Sequence, residues 1–397
     1  MTVLLFDLNP TGHHPGYIQH LIRYWPSGRG RLLAVVSADF PAKHPDIARL
    51  AAQTPGTELI ATSTEETQKI AAGSSFIKRM TLEWRLMVAY AHRCRADHVL
   101  LMYLDQFQVA LFTEKAPSCP VSGILFRPTL HYKTFSPHRS TWKDALREIR
   151  KNGLLRLALR NRRLQNVFCL DPYCVPYLHR FNPKLRVLHL PDPVEIYPGS
   201  EKEIVALRAS TGVGSSRKIL LLFGHLDGRK GLGPLTEALG QLPDAIINQL
   251  GVWLVGPLES DQQVHIQALK SLSANRSLQL WQHHQFVPDT QIQAYFGAAD
   301  GVLALYQQHV GMSAVLVRAA AAEKPILSSD YGLIGQLVRE KDLGLALDSV
   351  SPPAIAQAVR TFVEQPRLGN PEQMRNFARQ NRASEYARVI FESLFIG

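Results

Sequence analysis

The chain is 397 residues long; 46% hydrophobic and 19% charged residues exclude a disordered polymer and leave room for two to three ordinary domains. A formal net charge of +11 implies an anionic partner, but no zinc-finger spacing or RNP-type aromatic motif accompanies it, so nucleic acid is not the expected one. No apolar run approaches about 18 residues, and Cys94, Cys119, Cys169 and Cys174, without CxxC or metal-ligand spacing, fit buried thiols in a reducing cytoplasm.

In chain order, MTVLLFDLNP lacks a basic region and reads as a first core strand (residues 3–8) rather than a signal peptide. The turn NPTGHHPG follows, with a helix expected from Tyr17. Gly12 and Gly16 suit a tight turn at the C-terminal end of a strand, where α/β sheets keep their ligands. His13 and His14 sit inside it, as ligand contacts or as solvated loop residues. Further strands are expected at 32–37, 58–63, 98–104, 121–128 and 166–171, with an amphipathic helix from Phe76 to about Arg93 between two of them. Such alternation predicts a doubly wound parallel sheet.

After VSGILF (121–126) come Arg127, His131 and Tyr132, at the C-terminal end of the strand expected over 121–128. An arginine there suits either an acceptor phosphate, in a fork geometry, or a structural carboxylate. Residues 139–163 hold nine basic residues against two acids, a net of +7. Trp142, Leu146, Ile149, Leu154, Leu155 and Leu159 recur at helical spacing, predicting two cationic amphipathic helices broken at Asn152-Gly153. That pattern suits an anionic membrane surface, a basic wall for an anionic acceptor, or a solvated helix pair. A strand with a Pro-rich exit (184–199) closes a first domain of residues 1–195, and a helix from Glu201 to Arg208 opens a second at 196–380.

The second domain begins KILLLFGHLDGRKGLGPLTEAL (218–239), an apolar strand running through Gly224, Arg229, Lys230 and Gly231 into a helix with Pro234 in its first turn. Two cations at a glycine-flanked helix start suit a pyrophosphate, although the sequence is not a P-loop. His283 and His284 read as polar loop groups because no third ligand is spaced nearby. From Gly301 to Leu327 the order is strand, short polar loop (Tyr306 to Gly311), helix opening at Met312 or Ser313, and strand: a βαβ unit whose helix start favours phosphate. The helix is apolar around its circumference except for Arg318, a guanidinium costly to bury without a partner. Helices near 332–338, 353–364 and 371–395 end the chain, and residues 381–397 are expected to cross back to the first domain.

These second-domain motifs resemble GT-B glycosyltransferases of the large retaining family 4 (glycosyltransferase group 1). AAD before an apolar strand, the loop to Gly311, the small-residue helix and EKPIL follow that family's "ADVFVLPSxxEGFGxxxLEAMACGKPVI", and Lys230-Gly231 aligns with the KG of "GRLxxEKG". The resemblance implies an α/β GT-B fold, two Rossmann-like domains facing across a cleft. It further implies transfer of a sugar from a UDP- or GDP-linked nucleotide-sugar to a glycan, lipid-linked or small-molecule acceptor, retaining and metal-independent, without a cofactor. In that light His225, Arg229 and Lys230 would hold the donor diphosphate, Phe286 and Val287 would seat the base, and Gly311, Met312, Ser313 and Arg318 would complete the donor site. His131, with Arg127, would act at the transferred carbon, while Gly12, His13, His14, Gly16 and Tyr132 would meet the acceptor. Two departures stand out: the family's signature acids are Val310 and Arg318 here. They keep open a catalytically silent scaffold; a sugar-nucleotide epimerase on the same donor site is the other alternative.

Overall fold

A computed structural model describes residues 1–126, 128, 130, 142–365 and 367–395, without the side chains of 142–148. The chain forms two compact units. One takes the described residues of Met1–Tyr132, Arg139–Pro193 and Ala383–Gly397, and the other Val194–Arg382.

The first unit is a seven-stranded sheet of β1 (Thr2–Phe6), β2 (Arg31–Val36), β3 (Thr57–Ala61), β4 (His98–Leu101), β5 (Val121–Leu125), β6 (Leu164–Cys169) and β7 (Arg186–His189). Their order is β3-β2-β1-β4-β5-β6-β7, every pairing parallel. Strand side chains alternate between two cores. Leu4, Phe6, Leu33, Val35, Val99 and Leu101 pack on one face, and Val3, Leu5, Leu32, Ala34, Val36 and Leu100 on the other. Burial on both faces is why these strands read as unbroken apolar runs. The second unit repeats the plan with β8 (Lys218–Phe223), β9 (Leu250–Val255), β10 (Gln279–His283), β11 (Gly301–Ala304), β12 (Ile326–Ser329) and β13 (Gly344–Leu347) in the order β10-β9-β8-β11-β12-β13, again all parallel. In both sheets the order reverses at the first strand, so β1/β4 and β8/β11 mark the switch points where such sheets bind ligands.

Several elements differ from expectation. The first helix is His14–Arg23, with Pro15 in its opening turn. Proline's fixed φ suits that place, so the helix starts three residues before Tyr17. Gly16 is therefore helical; of the two glycines only Gly12 takes a positive φ, +66°. The basic segment is one helix, Trp142–Ala158, running through Asn152-Gly153. An interior glycine costs roughly 1 kcal/mol, which the burial of Leu155 and Ala158, with Leu159 just beyond, outweighs by tertiary packing. The expected helix 371–395 is two, Pro371–Gln380 and Ala383–Phe395. They part where the Asn381 carbonyl accepts the Val194 amide at 3.0 Å. The later helix buries Tyr386, Ala387, Ile390, Phe391 and Leu394 in the first unit's core.

Candidate functional site

The second unit's switch point is built by two loops. After β8, Gly224 (φ +108°) turns the chain, and a Cβ there would lie 3.0 Å from the Lys230 Nζ. A 3-10 turn, Gly228–Lys230, leads to Gly231 (φ +72°) and the helix Leu232–Gln241. A side chain at Gly231 would sit 2.4 Å from the Leu305 carbonyl oxygen, so only glycine lets this loop lie against the one after β11. The Gln307 amide, donating to the Arg229 carbonyl at 2.7 Å, ties the loops together.

Lys230, only 9% exposed, reaches back into this junction. Its ammonium donates to the Phe223 carbonyl and to the Tyr306 hydroxyl, both at 2.8 Å, and lies 4.5 Å from the Tyr306 ring centroid. The Tyr306 hydroxyl lies 2.7 Å from Ser313 Oγ. Ser313 in turn caps the helix Ala314–Ala321 by accepting the Val315 amide. Lys230, Tyr306 and Ser313 thus link the two loops that the sequence marks for phosphate. An ammonium has three donors and no acceptor, and two of Lys230's are used within the protein. Gly311 and Met312 lie on the same loop, where the Met312 carbonyl meets His309 Nε2 at 3.2 Å. Gly332 at φ +64° lets its backbone pass under His309 and Val310.

Arg229 and His225 are engaged differently from Lys230. The Arg229 guanidinium grips Asp227, Nη2 to Oδ2 at 2.5 Å and Nε at 3.0 Å, while its own side chain is largely exposed. Burial pushes the Asp227 carboxyl up, but hydrogen bonds from Arg229 outweigh it and hold it below the usual range. His225 Nε2 meets Glu259 at 2.9 Å. His225, Asp227 and Glu259 bring one ligand atom each within 4.8 Å of one another, which would suit a cation. Arg229 already supplies positive charge to the buried member of that set.

Phe286 and Val287 part company. Phe286 is 76% exposed and Val287 is buried, just before the helix Asp289–Ala298. Arg318 is 9% exposed, and its Nη1 has no hydrogen-bond partner. The structural ion pair the sequence allows for is not formed among the described residues. Asp289 and Tyr197 are the groups whose charge it feels, and burial lowers its pKa. The aspartate of AAD, by contrast, is structural: Asp300 receives both Arg208 Nη atoms, at 2.8 and 3.1 Å, and the Ile219 amide.

In the first unit, Asp7 leaves β1 and accepts His14 Nδ1 at 2.6 Å, both side chains buried. His14 is therefore not a solvated loop residue. His13 is exposed and stacks on His14 at 4.6 Å, with the Phe126 and Tyr17 rings at 4.8 and 5.2 Å and Tyr103 at 6.3 Å. Beneath them Tyr17 donates to Asp192, whose carboxyl burial pushes up to about 6. Glu83 is also buried, its carboxyl raised to about 8 by burial and then by Asp7. Arg127, His131 and Tyr132 lie outside the described residues. Sequence reasoning missed Tyr306, Asp227, Asp7 and Asp192. Asp7 and Asp227 each follow a first strand within a few residues, which is their one visible signal.

Residues 204–383 match the family glycosyl transferases group 1. The Bacillus subtilis (strain 168) protein YtcC, whose given name places it among glycosyltransferases, is 25% identical over 186 residues; that stretch is 45% of this chain but only 42% of YtcC. The fold is similar to that of Anabaena HepE in complex with UDP, with a TM-score of 0.68 at 20% identity over 100% of both chains. It is also similar to the UDP-GlcNAc 2-epimerase of Neisseria meningitidis bound to UDP-GlcNAc, with a TM-score of 0.61 at 12% identity and the same coverage. At these identities the structural likeness speaks for the fold. The chain therefore has the GT-B fold, and its residues 204–383 resemble the glycosyltransferase group 1 family.

Proposed function

We propose that the protein is a glycosyltransferase that moves a sugar from a UDP- or GDP-linked nucleotide-sugar to a glycan, lipid-linked or small-molecule acceptor. The observation that carries this reading is the Lys230–Tyr306–Ser313 chain, which sets a half-committed ammonium beside the start of the helix Ala314–Ala321. A diphosphate there meets the remaining Lys230 N–H and the positive end of the helix dipole. As the glycosyl–phosphate bond loosens, charge grows on the leaving diphosphate, and fixed donors aimed at developing charge are usually the largest catalytic contribution. Phe286, exposed just before a neighbouring helix, would offer a ring for a base to stack on. HepE, of the same fold, is described in complex with UDP and with UDP-glucose.

The reaction is proposed to retain anomeric configuration and to need neither metal nor cofactor; the Arg229–Asp227 pair, which brings a built-in cation to the cluster of His225, Asp227 and Glu259, supports the metal-free part. The acceptor is proposed to bind the first unit, where His13, Phe126 and Tyr103 offer ring faces to a sugar. Four free thiols support a cytoplasmic place of action. Among the described residues no helix is long and apolar enough to cross a membrane. Peripheral docking on anionic lipid would use the helix Trp142–Ala158, on which Ile149 and Leu157 stay exposed.

Calorimetric titration with UDP, GDP and their sugar conjugates tests the donor site, and product analysis with and without added glycan acceptor tests the reaction. Tight donor binding with acceptor-dependent release of nucleoside diphosphate supports a transferase. Conversion of the donor without any acceptor would reassign the site to an epimerase. No binding would leave a scaffold.

A further inference from the structure

Two cations in the second unit are buried to the same degree, 9% exposed, yet only one is satisfied. Lys230 has two hydrogen bonds within the protein; the Arg318 Nη1 has none, and no carboxylate among the described residues comes within ion-pair distance of the guanidinium. A buried, unpaired guanidinium is costly, and a folded chain keeps one where a ligand completes it.

The surroundings say where that ligand lies. Arg318 is the fifth residue of the helix Ala314–Ala321, one turn on from the exposed Ala314 on the same face. Helical side chains lean towards the N-terminus, so the guanidinium runs back along that face to the helix start that Ser313 caps. Asp289, whose charge it feels, opens the helix that follows Phe286 and Val287. The adjacent helix is held in place by Gln293, which donates to the Arg318 carbonyl at 3.0 Å. Arg318 therefore sits on the helix that Ser313 caps, beside the helix that follows Phe286 and Val287. A planar guanidinium with free N–H groups selects an oxyanion, which it can bind through two parallel hydrogen bonds.

We propose that Arg318 binds an oxyanion of the donor, with the phosphate nearest the nucleoside as the position its neighbours favour; the proposal rests on the donor-site reading above. A carboxylate on a uronic-acid donor offers the same chemistry, and the experiment separates the two. Binding of uridine, UDP, UDP-glucose and UDP-glucuronate is measured for the wild type, Arg318→Met and Arg318→Lys, alongside the melting temperature of each ligand-free protein. Arg318→Met removes a buried charge that no ion pair among the described residues compensates, so its ligand-free melting temperature should equal or exceed that of the wild type. It should bind UDP and UDP-glucose about 10- to 100-fold more weakly, with uridine unchanged. Arg318→Lys should fall between the two. Selective loss of UDP-glucuronate would assign the carboxylate and uphold the oxyanion role. Unchanged affinity for every ligand, or a melting temperature several degrees below wild type, would make Arg318 a structural residue and overturn the proposal while leaving the donor-site reading intact. If the wild type ignores all nucleotides yet inorganic pyrophosphate or glucuronate raises its melting temperature and not that of Arg318→Met, the anion role stands and the nucleotide-sugar reading falls. Silence towards every anion sinks both.

Discussion

Each unit begins the same way, with a buried strand, a glycine-bearing loop and a helix, and the two loops have diverged in chemistry. In the first unit the chain leaving β1 carries Asp7, which locks His14 into the wall and leaves His13 exposed among aromatic rings. In the second the chain leaving β8 carries Asp227, which holds Arg229, while Lys230 turns inward to the loop after β11. An early aspartate organises both loops. One presents ring faces and an imidazole, surfaces suited to a neutral sugar; the other presents a cation beside a helix start, suited to phosphate. The same fold thus places two different sets of side chains at its two switch points.

The comparison can be broken most severely at Gly231. Gly231→Ala places a Cβ within 2.4 Å of the Leu305 carbonyl oxygen at φ +72°, so the two loops must separate. We expect a loss of roughly 2–3 kcal/mol in thermal or denaturant unfolding, and loss of UDP binding with it. Gly12→Ala, at φ +66° but with no atom within 4 Å of the added Cβ, should cost only about 1 kcal/mol. Equal costs would mean the second loop is no tighter than the first.

The first unit is probed through pH. Burial and the nearby Asp7 raise the Glu83 carboxyl to about 8 in the folded chain, from the ordinary 4.5. A raised folded value means that its stabilising contribution is full below pH 4.5 and is lost as pH climbs through 8. Glu83→Gln removes that loss, so its stability relative to wild type should rise from pH 4.5 to 8, by about 5 kcal/mol at most. A difference constant across that window would contradict the assignment. The smallest effect is expected at Tyr306→Phe, which deletes the hydroxyl between Lys230 and Ser313. Losing its hydrogen bonds to Lys230 and Ser313, neither made to the ligand itself, should cost about 1 kcal/mol of binding, roughly fivefold in UDP affinity, with uridine binding unaffected.

Much of this was legible in the sequence because it depends on local rules. Apolar runs alternating with amphipathic segments announce buried parallel strands, and Lys230, Gly231 and Ser313 sit at glycine-marked turns and helix starts that spacing alone reveals. What stayed hidden depends on distant partners. Nothing near Lys230 in sequence points to Tyr306, 76 residues away. Nothing near Tyr17 points to Asp192, 175 residues on. The unbroken helix at Gly153 was illegible for the same reason: its apolar residues are held by a core assembled from other strands. Arg318 is the inverse case, since the sequence exposes it as an anomaly and the fold leaves it without an ion pair among the described residues.

The central claim is that the loops after β8 and β11 cradle one diphosphate, and calorimetry on Lys230→Gln tests it most directly. Wild type should bind UDP far more tightly than uridine, and the variant should lose about 10- to 100-fold for UDP while its uridine affinity and melting temperature stay close to wild type. Equal UDP affinity in the two folded proteins would contradict the account.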